Sequence, residues 1–76
     1  MDISVRLLGN LRRHAPTGSL QIEVQEGTTV AKVIELLGLR PGDVWLAKLG
    51  DQLVDMNHPL RGGGDLLLIP PIGGGN

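Results

Sequence analysis

Leu66-Leu67-Leu68-Ile69 is an unbroken aliphatic run of strand length that stops at Pro70-Pro71. Successive side chains of a strand point to opposite faces, so a run that is apolar throughout is expected to be central and buried in its sheet. Proline has no N–H to give the next rung and ends the strand. The run is therefore predicted to be the middle of a sheet, with residues 70–76 leaving it as a flexible C-terminal Pro-Pro/Gly-rich tail.

The rest of the chain supplies the partners for such a strand. Ile3, Val5 and Leu7 alternate with Ser4, Arg6 and Leu8, and Leu20, Ile22 and Val24 alternate with Gln21, Glu23 and Gln25, the period of half-buried strands. Pro16-Thr17-Gly18-Ser19 turns between them, and Leu11-Arg12-Arg13-His14 is a short connecting turn or helical loop. From Thr28 the period changes. Val30, Val33, Ile34 and Leu37 fall at i, i+3, i+4 and i+7, with Thr28 or Thr29 to cap the start and Gly38 to end it, which predicts a helix over about residues 29–37. Pro41-Gly42 then turns the chain into a third strand over residues 44–49, and Gln52-Leu53-Val54 is a short return strand. Asn57-His58-Pro59-Leu60 reads as a turn that pins Leu60 inward, and Arg61 to Asp65 as a flexible link. Setting the last strand beside the first and the helix across one face gives a two-layer α+β domain, residues 1–69, with a mixed sheet of four or five strands.

Composition narrows the function. At 76 residues there is room for one small domain and no second core. Trp45 is the one aromatic residue, so Leu, Ile and Val must build the interior, and with no cysteine there is no disulfide staple and no thiolate nucleophile or ligand. Seven basic against eight acidic residues leave a net charge of -1, which argues against nucleic acid and anionic membrane, whose binders draw their affinity from an excess of cations. No apolar run nears the roughly 18 residues of a membrane span, and the first residues lack a secretion signal, so a cytoplasmic protein is expected.

The order of elements, with Ile3-Ser4-Val5-Arg6-Leu7-Leu8-Gly9 at the start, Gly27-Thr28-Thr29-Val30 opening the helix, His58-Pro59-Leu60 and Gly64-Asp65 before the last strand, and Ile69-Pro70-Pro71-Ile72-Gly73-Gly74 after it, resembles the β-grasp (ubiquitin-like) sulfur carriers of the molybdopterin-synthase small subunit (MoaD) and ThiS families. The double proline favours the molybdopterin-synthase type. The resemblance spans essentially the whole chain and implies a non-catalytic carrier that is itself a substrate. It binds no cofactor; an E1-like adenylyltransferase of the MoeB/ThiF type spends ATP on its C-terminal glycine carboxylate, sulfur enters as a thiocarboxylate, and a synthase large subunit consumes it. Gly73, Gly74 and Gly75 carry that chemistry, and a peptidase must remove Asn76 or Gly75-Asn76. Glycines have no Cβ and suit a narrow channel, while Pro70-Pro71 stiffens their base.

Leu8, Arg12, Leu60, Leu67, Ile69, Pro70, Pro71 and Ile72 are the candidate partner-binding residues. If Ile3, Val5, Leu7, Leu66 and Leu68 face the helix, the pleat turns Leu8, Leu67 and Ile69 outward, and grouped exposed aliphatics mark an interface. His14 and His58, far apart and without companions, read as ordinary surface residues, and Asp51 and Asp55 as loop solubilisers. Trp45 is expected to pack under Leu53-Val54. Two other functions share the tail: a ubiquitin-like modifier joined to lysines of target proteins, and a β-grasp interaction subunit that is never activated.

Overall fold

The computed structural model describes residues 1–15 and 17–71. Along the chain run β1 (Asp2–Leu7), a 3₁₀-helix (Gly9–His14), β2 (Ser19–Glu23), α1 (Val30–Leu36), a second 3₁₀-helix (Pro41–Asp43), β3 (Leu46–Leu49), β4 (Gln52–Val54) and β5 (Gly64–Ile69). One sheet takes all five strands in the order β2-β1-β5-β3-β4, so the apolar run is its middle strand. β5 pairs in parallel with β1 and antiparallel with β3, which makes the sheet mixed, and α1 covers one face in the β-grasp arrangement.

Paired residues across a ladder share a face. Ile3, Val5 and Leu7 meet Gly64, Leu66 and Leu68, and Leu68 meets Ala47, so these side chains line the inner layer. Val30, Val33 and Ile34 close it from the helix side, and every one of these residues except Gly64 is buried. Ile22 and Leu37, expected inside, pack against this core while keeping part of their surface exposed.

Local chemistry explains the boundaries. Thr29 caps α1, its Oγ1 accepting the Lys32 N–H at 3.2 Å. The next orphan donors of the first turn, Val30 N–H and Ala31 N–H, go to the carbonyls of His58 and Met56 at 3.2 and 2.9 Å. Past the helix, Gly38 takes the left-handed φ of +81° that the C-terminal turn requires. The third strand starts at Leu46, two residues later than the alternation suggests. Asp43 Oδ2 accepts the Arg40 N–H at 3.0 Å and holds Pro41–Asp43 in a 3₁₀ turn, so Val44 and Trp45 complete a bend before the ladder begins. Gly64 and Asp65 belong to β5 because they pair with Ile3 and Ser4, which shortens the expected link to its first residues.

Candidate functional site

The segment that follows β5 has its root at Pro70-Pro71. Pro70 is half-buried beside the first 3₁₀-helix, against Gly9: a Cβ at Gly9 would lie 2.9 Å from Pro70 Cγ, and Gly9 has a φ of +55°. Pro71 is exposed and lines a cleft of about 260 Å³ together with Leu11, Arg13 and His14 from one 3₁₀-helix and Leu39, Gly42 and Asp43 at the other. The root is thus seated between the two 3₁₀-helices. Ile72, Gly73, Gly74, Gly75 and Asn76, expected to carry partner contact, activation and processing, lie outside the described residues.

The sheet face opposite α1 adjoins this root. Register sets Arg6, Leu67, Lys48 and Leu53 in one row across β1, β5, β3 and β4, and Leu46 pairs with Ile69 in the row nearer the prolines. Leu67, Ile69 and Leu46 are half-buried, Leu53 is 64% exposed, and Leu8, just past β1, is 39% exposed. Leu8 at the end of β1 and Leu67 and Ile69 on β5 thus lie close to Pro70, while Pro71 faces the cleft between the two 3₁₀-helices. Arg6 and Lys48 flank Leu67 on either side. Among the described residues the one ion pair is Lys32 with Glu35 at 3.0 Å on the helix, so neither flanking cation is held by a carboxylate.

Two expectations need correction, for Leu60 and Trp45, and Arg12 is placed apart from Pro71. Leu60 is no contact residue for a partner: its side chain is fully buried in the core, and its backbone is held at both ends, N–H to Thr28 at 2.8 Å and carbonyl to the Gly27 N–H at 2.7 Å. Arg12 is exposed, but it does not line the cleft with Pro71. Its guanidinium lies over Gly18, in a notch shared with Arg6, Leu8, Thr17 and Ser19, while Arg13 takes the place beside Pro71. Trp45 is 53% exposed instead of packed under β4, because the bend before β3 points it away.

Leu46, Lys48 and Arg6 were not singled out by sequence. The signal exists only once the register is known: pairing Lys48 with Leu67 puts Lys48 and Leu46 outward, whereas alternation counted from Val44 puts both inward. Among the described residues no polar or charged side chain is buried, and no group of three or more His, Cys, Asp or Glu is placed to hold a metal ion. His14, Asp51 and Asp55 are exposed and His58 half-buried. No described helix is long and apolar enough to cross a membrane.

A model of the ThiS family matches residues 5–75. Among solved structures, SAMP1 from Haloferax volcanii superposes with a TM-score of 0.75 at 18% identity, covering 99% of this chain and 100% of that one. A putative molybdopterin converting factor, subunit 1, from Pyrococcus furiosus gives 0.73 at 20% identity, covering 95% and 99%. The complex of subunits 1 and 2 of molybdopterin-converting factor from Helicobacter pylori 26695 gives 0.65 at 26% identity, covering 99% and 100%. No curated protein sequence matches the chain.

Proposed function

The chain belongs to the ThiS family of small β-grasp carriers, and on that premise we propose that it delivers sulfur from its C-terminal segment, with molybdopterin or tungstopterin synthesis as the recipient pathway. The supporting observation is the family match over residues 5–75, which runs through the double proline and the glycines Gly73, Gly74 and Gly75. The chemistry takes place on the carrier's own carboxylate. One carboxylate oxygen attacks the α-phosphorus of ATP on an E1-like adenylyltransferase, pyrophosphate leaves, and an acyl-adenylate forms. Hydrosulfide then adds to the carbonyl carbon, AMP departs with the electron pair of the C–O bond, and a proton is released, leaving a thiocarboxylate and AMP. On a synthase large subunit the carbon–sulfur bond of the thiocarboxylate then breaks as the sulfur passes to the acceptor, and water supplies the oxygen that restores the carboxylate. Asn76, or Gly75-Asn76, is removed first by a peptidase so that a glycine carries the carboxylate.

The body of the domain contributes recognition. The outer strip of Leu8, Leu46, Leu67 and Ile69 adjoins the root of the segment, so a partner resting on it holds the terminus within reach. Likeness to a structure of molybdopterin-converting factor subunits 1 and 2 in complex supports a large-subunit partner. Likeness to SAMP1 supports the second reading, a modifier joined through its glycine to lysines.

Intact mass separates the readings. The carrier reading expects protein from its own host to lack Asn76 and to show a sulfur-for-oxygen mass change after incubation with the host's activating enzyme, ATP and sulfide. Isopeptide-linked glycine remnants on lysines of other proteins, without the sulfur change, favour the modifier. A chain that keeps Asn76, and whose forms ending at Gly74 and Gly75 stay inert, excludes both.

A further inference from the structure

We propose that the open edge of β2 pairs with the β2 edge of a second copy of this chain, antiparallel about a two-fold axis at Gln21, so that the two sheets run on as one. β2 and β4 stand at the two ends of the strand order, and β4 has only three residues. β2 has five, with no lysine or proline to blunt it, and Ser19, Gln21 and Glu23 are exposed. Backbone direction alternates along an antiparallel strand. The Gly18 carbonyl accepts the Leu7 N–H at 2.8 Å, and Val24 exchanges bonds with Met1 at 2.9 and 2.8 Å, so both residues bond towards β1. Leu20 and Ile22 are in step with them, which turns the N–H and C=O groups of Ser19, Gln21 and Glu23 off the edge. The Ser19 carbonyl also accepts the Thr17 hydroxyl at 2.8 Å and keeps a second lone pair for a partner.

Charge selects the occupant. On the outer face Arg6 pairs with Ser19 at one end of β2, and Asp2 pairs with Glu23 at the other. Arg12 shares a notch with Arg6 and Ser19, so one end carries two cations and the other two carboxylates. Four residues of strand, about 13 Å, keep the two ends apart within one chain. Among the described residues none of these four charges is in an ion pair. The two-fold pairing sets Ser19 opposite Glu23 of the second copy, so each outer row runs Arg6, Ser19, then Glu23 and Asp2 of the second copy. Arg6 and that Glu23 are two strand spacings apart, about 10 Å between Cα atoms, a gap their long side chains close over the small Ser19. On the inner face Leu20 falls opposite Ile22 of the second copy. Both are half-buried in the single chain, so pairing covers apolar surface that the core leaves open. β1 separates this edge from β5, so Leu67, Ile69 and Pro70 stay open in the pair, and the proposal does not depend on the carrier reading.

Sedimentation equilibrium of the full chain tests it. An edge contact of this size is weak, so at low salt the mass should rise from the 8.1 kDa of one chain towards twice that value between about 10 μM and 1 mM. It should stop there, because a two-fold contact uses up the edge. Arg6→Glu and Glu23→Arg are each expected to weaken association at least about 10-fold, and an equimolar mixture of the two to recover it, since opposite charges then face each other in both rows. Gln21→Pro removes an N–H that points off the edge, and should abolish association while the melting temperature stays close to that of the parent. Should Gln21→Pro melt far lower, the mixture decides. A one-chain mass at about 1 mM in low salt overturns the proposal. So does a mixture that associates no better than either variant alone, or association that a folded Gln21→Pro leaves intact. A one-chain mass throughout, with Gln21→Pro losing affinity for the activating enzyme, also overturns it and gives the edge to a strand of that enzyme.

Discussion

Trp45 donates its backbone N–H to the carbonyl of Ile69 at 2.7 Å, which ties the chain's one aromatic residue to the residue before the double proline. Its side chain is half-exposed. Tryptophan is the residue type most often found to dominate an interface when it is desolvated there. Titrating the protein with the proposed large-subunit partner is expected to shift Trp45 emission to shorter wavelength and to saturate. Trp45→Ala should weaken binding by about 2 kcal/mol, roughly 30-fold, without a comparable loss of stability. Emission unchanged at saturating partner places the contact elsewhere.

The cations beside Leu67 should act on the rate of encounter. Arg6 and Lys48 flank it with no carboxylate at pairing distance among the described residues. Charges at the rim of an interface steer association and are screened by salt. Replacing both, Arg6→Glu with Lys48→Glu, is expected to slow association with an acidic partner about 10-fold or more at low ionic strength, with a smaller effect at high salt. Stopped-flow traces of Trp45 emission measure it, and an association rate independent of both charge and salt counts against this surface.

Leu60 and Leu67 should part company under the same truncation. Leu60 is fully buried, so Leu60→Ala leaves a cavity and is expected to cost about 2–5 kcal/mol by urea unfolding. Leu67 keeps part of its side chain in solvent on the outer face, so Leu67→Ala should cost clearly less in stability and more in partner affinity. The opposite ranking would return Leu60 to the interface.

Thr29→Ala removes the one side-chain cap on α1. Loss of such a cap typically costs about 1 kcal/mol. Because the neighbouring N–H groups of Val30 and Ala31 are already met by the carbonyls of His58 and Met56, the expected loss lies at the lower end, about 0.5–1 kcal/mol. Chemical denaturation reads it directly.

What could be read from sequence follows the physics of local pattern. Period-2 and period-3.6 spacing marked the strands, the helix and most of the inner layer, and the double proline marked where the sheet ends. Three kinds of information were not local. Leu11 and Leu39 are buried from a 3₁₀-helix and a loop, and the composition of such segments does not tell which of their apolar residues the core will take. The facing of β3 depends on the bend at Val44-Trp45, which shifts the phase of alternation by one, so that Ala47 faces inward and Leu46 outward. Arg12 and Arg13 are neighbours in sequence, but the 3₁₀-helix turns them to different sides, one to Gly18 and the other to Pro71. The glycines proposed for activation were picked out by family resemblance, since a glycine run carries no pattern of its own.

The place of β5 between β1 and β3 has a kinetic side. Without it, β1–β2 and β3–β4 are two hairpins with no hydrogen bonds between them, and an isolated hairpin is marginal in water. Closing the sheet requires Ile3 to find Gly64, a pairing between the two ends of the fold that must be reached before most of the burial rewards it. Folding should therefore be a single, comparatively slow, all-or-none event, with no half-domain that survives alone. The strand on which the terminal segment is mounted is also the one whose release dismantles the sheet, so a partner that pulls on the terminus pulls against the stability of the whole molecule.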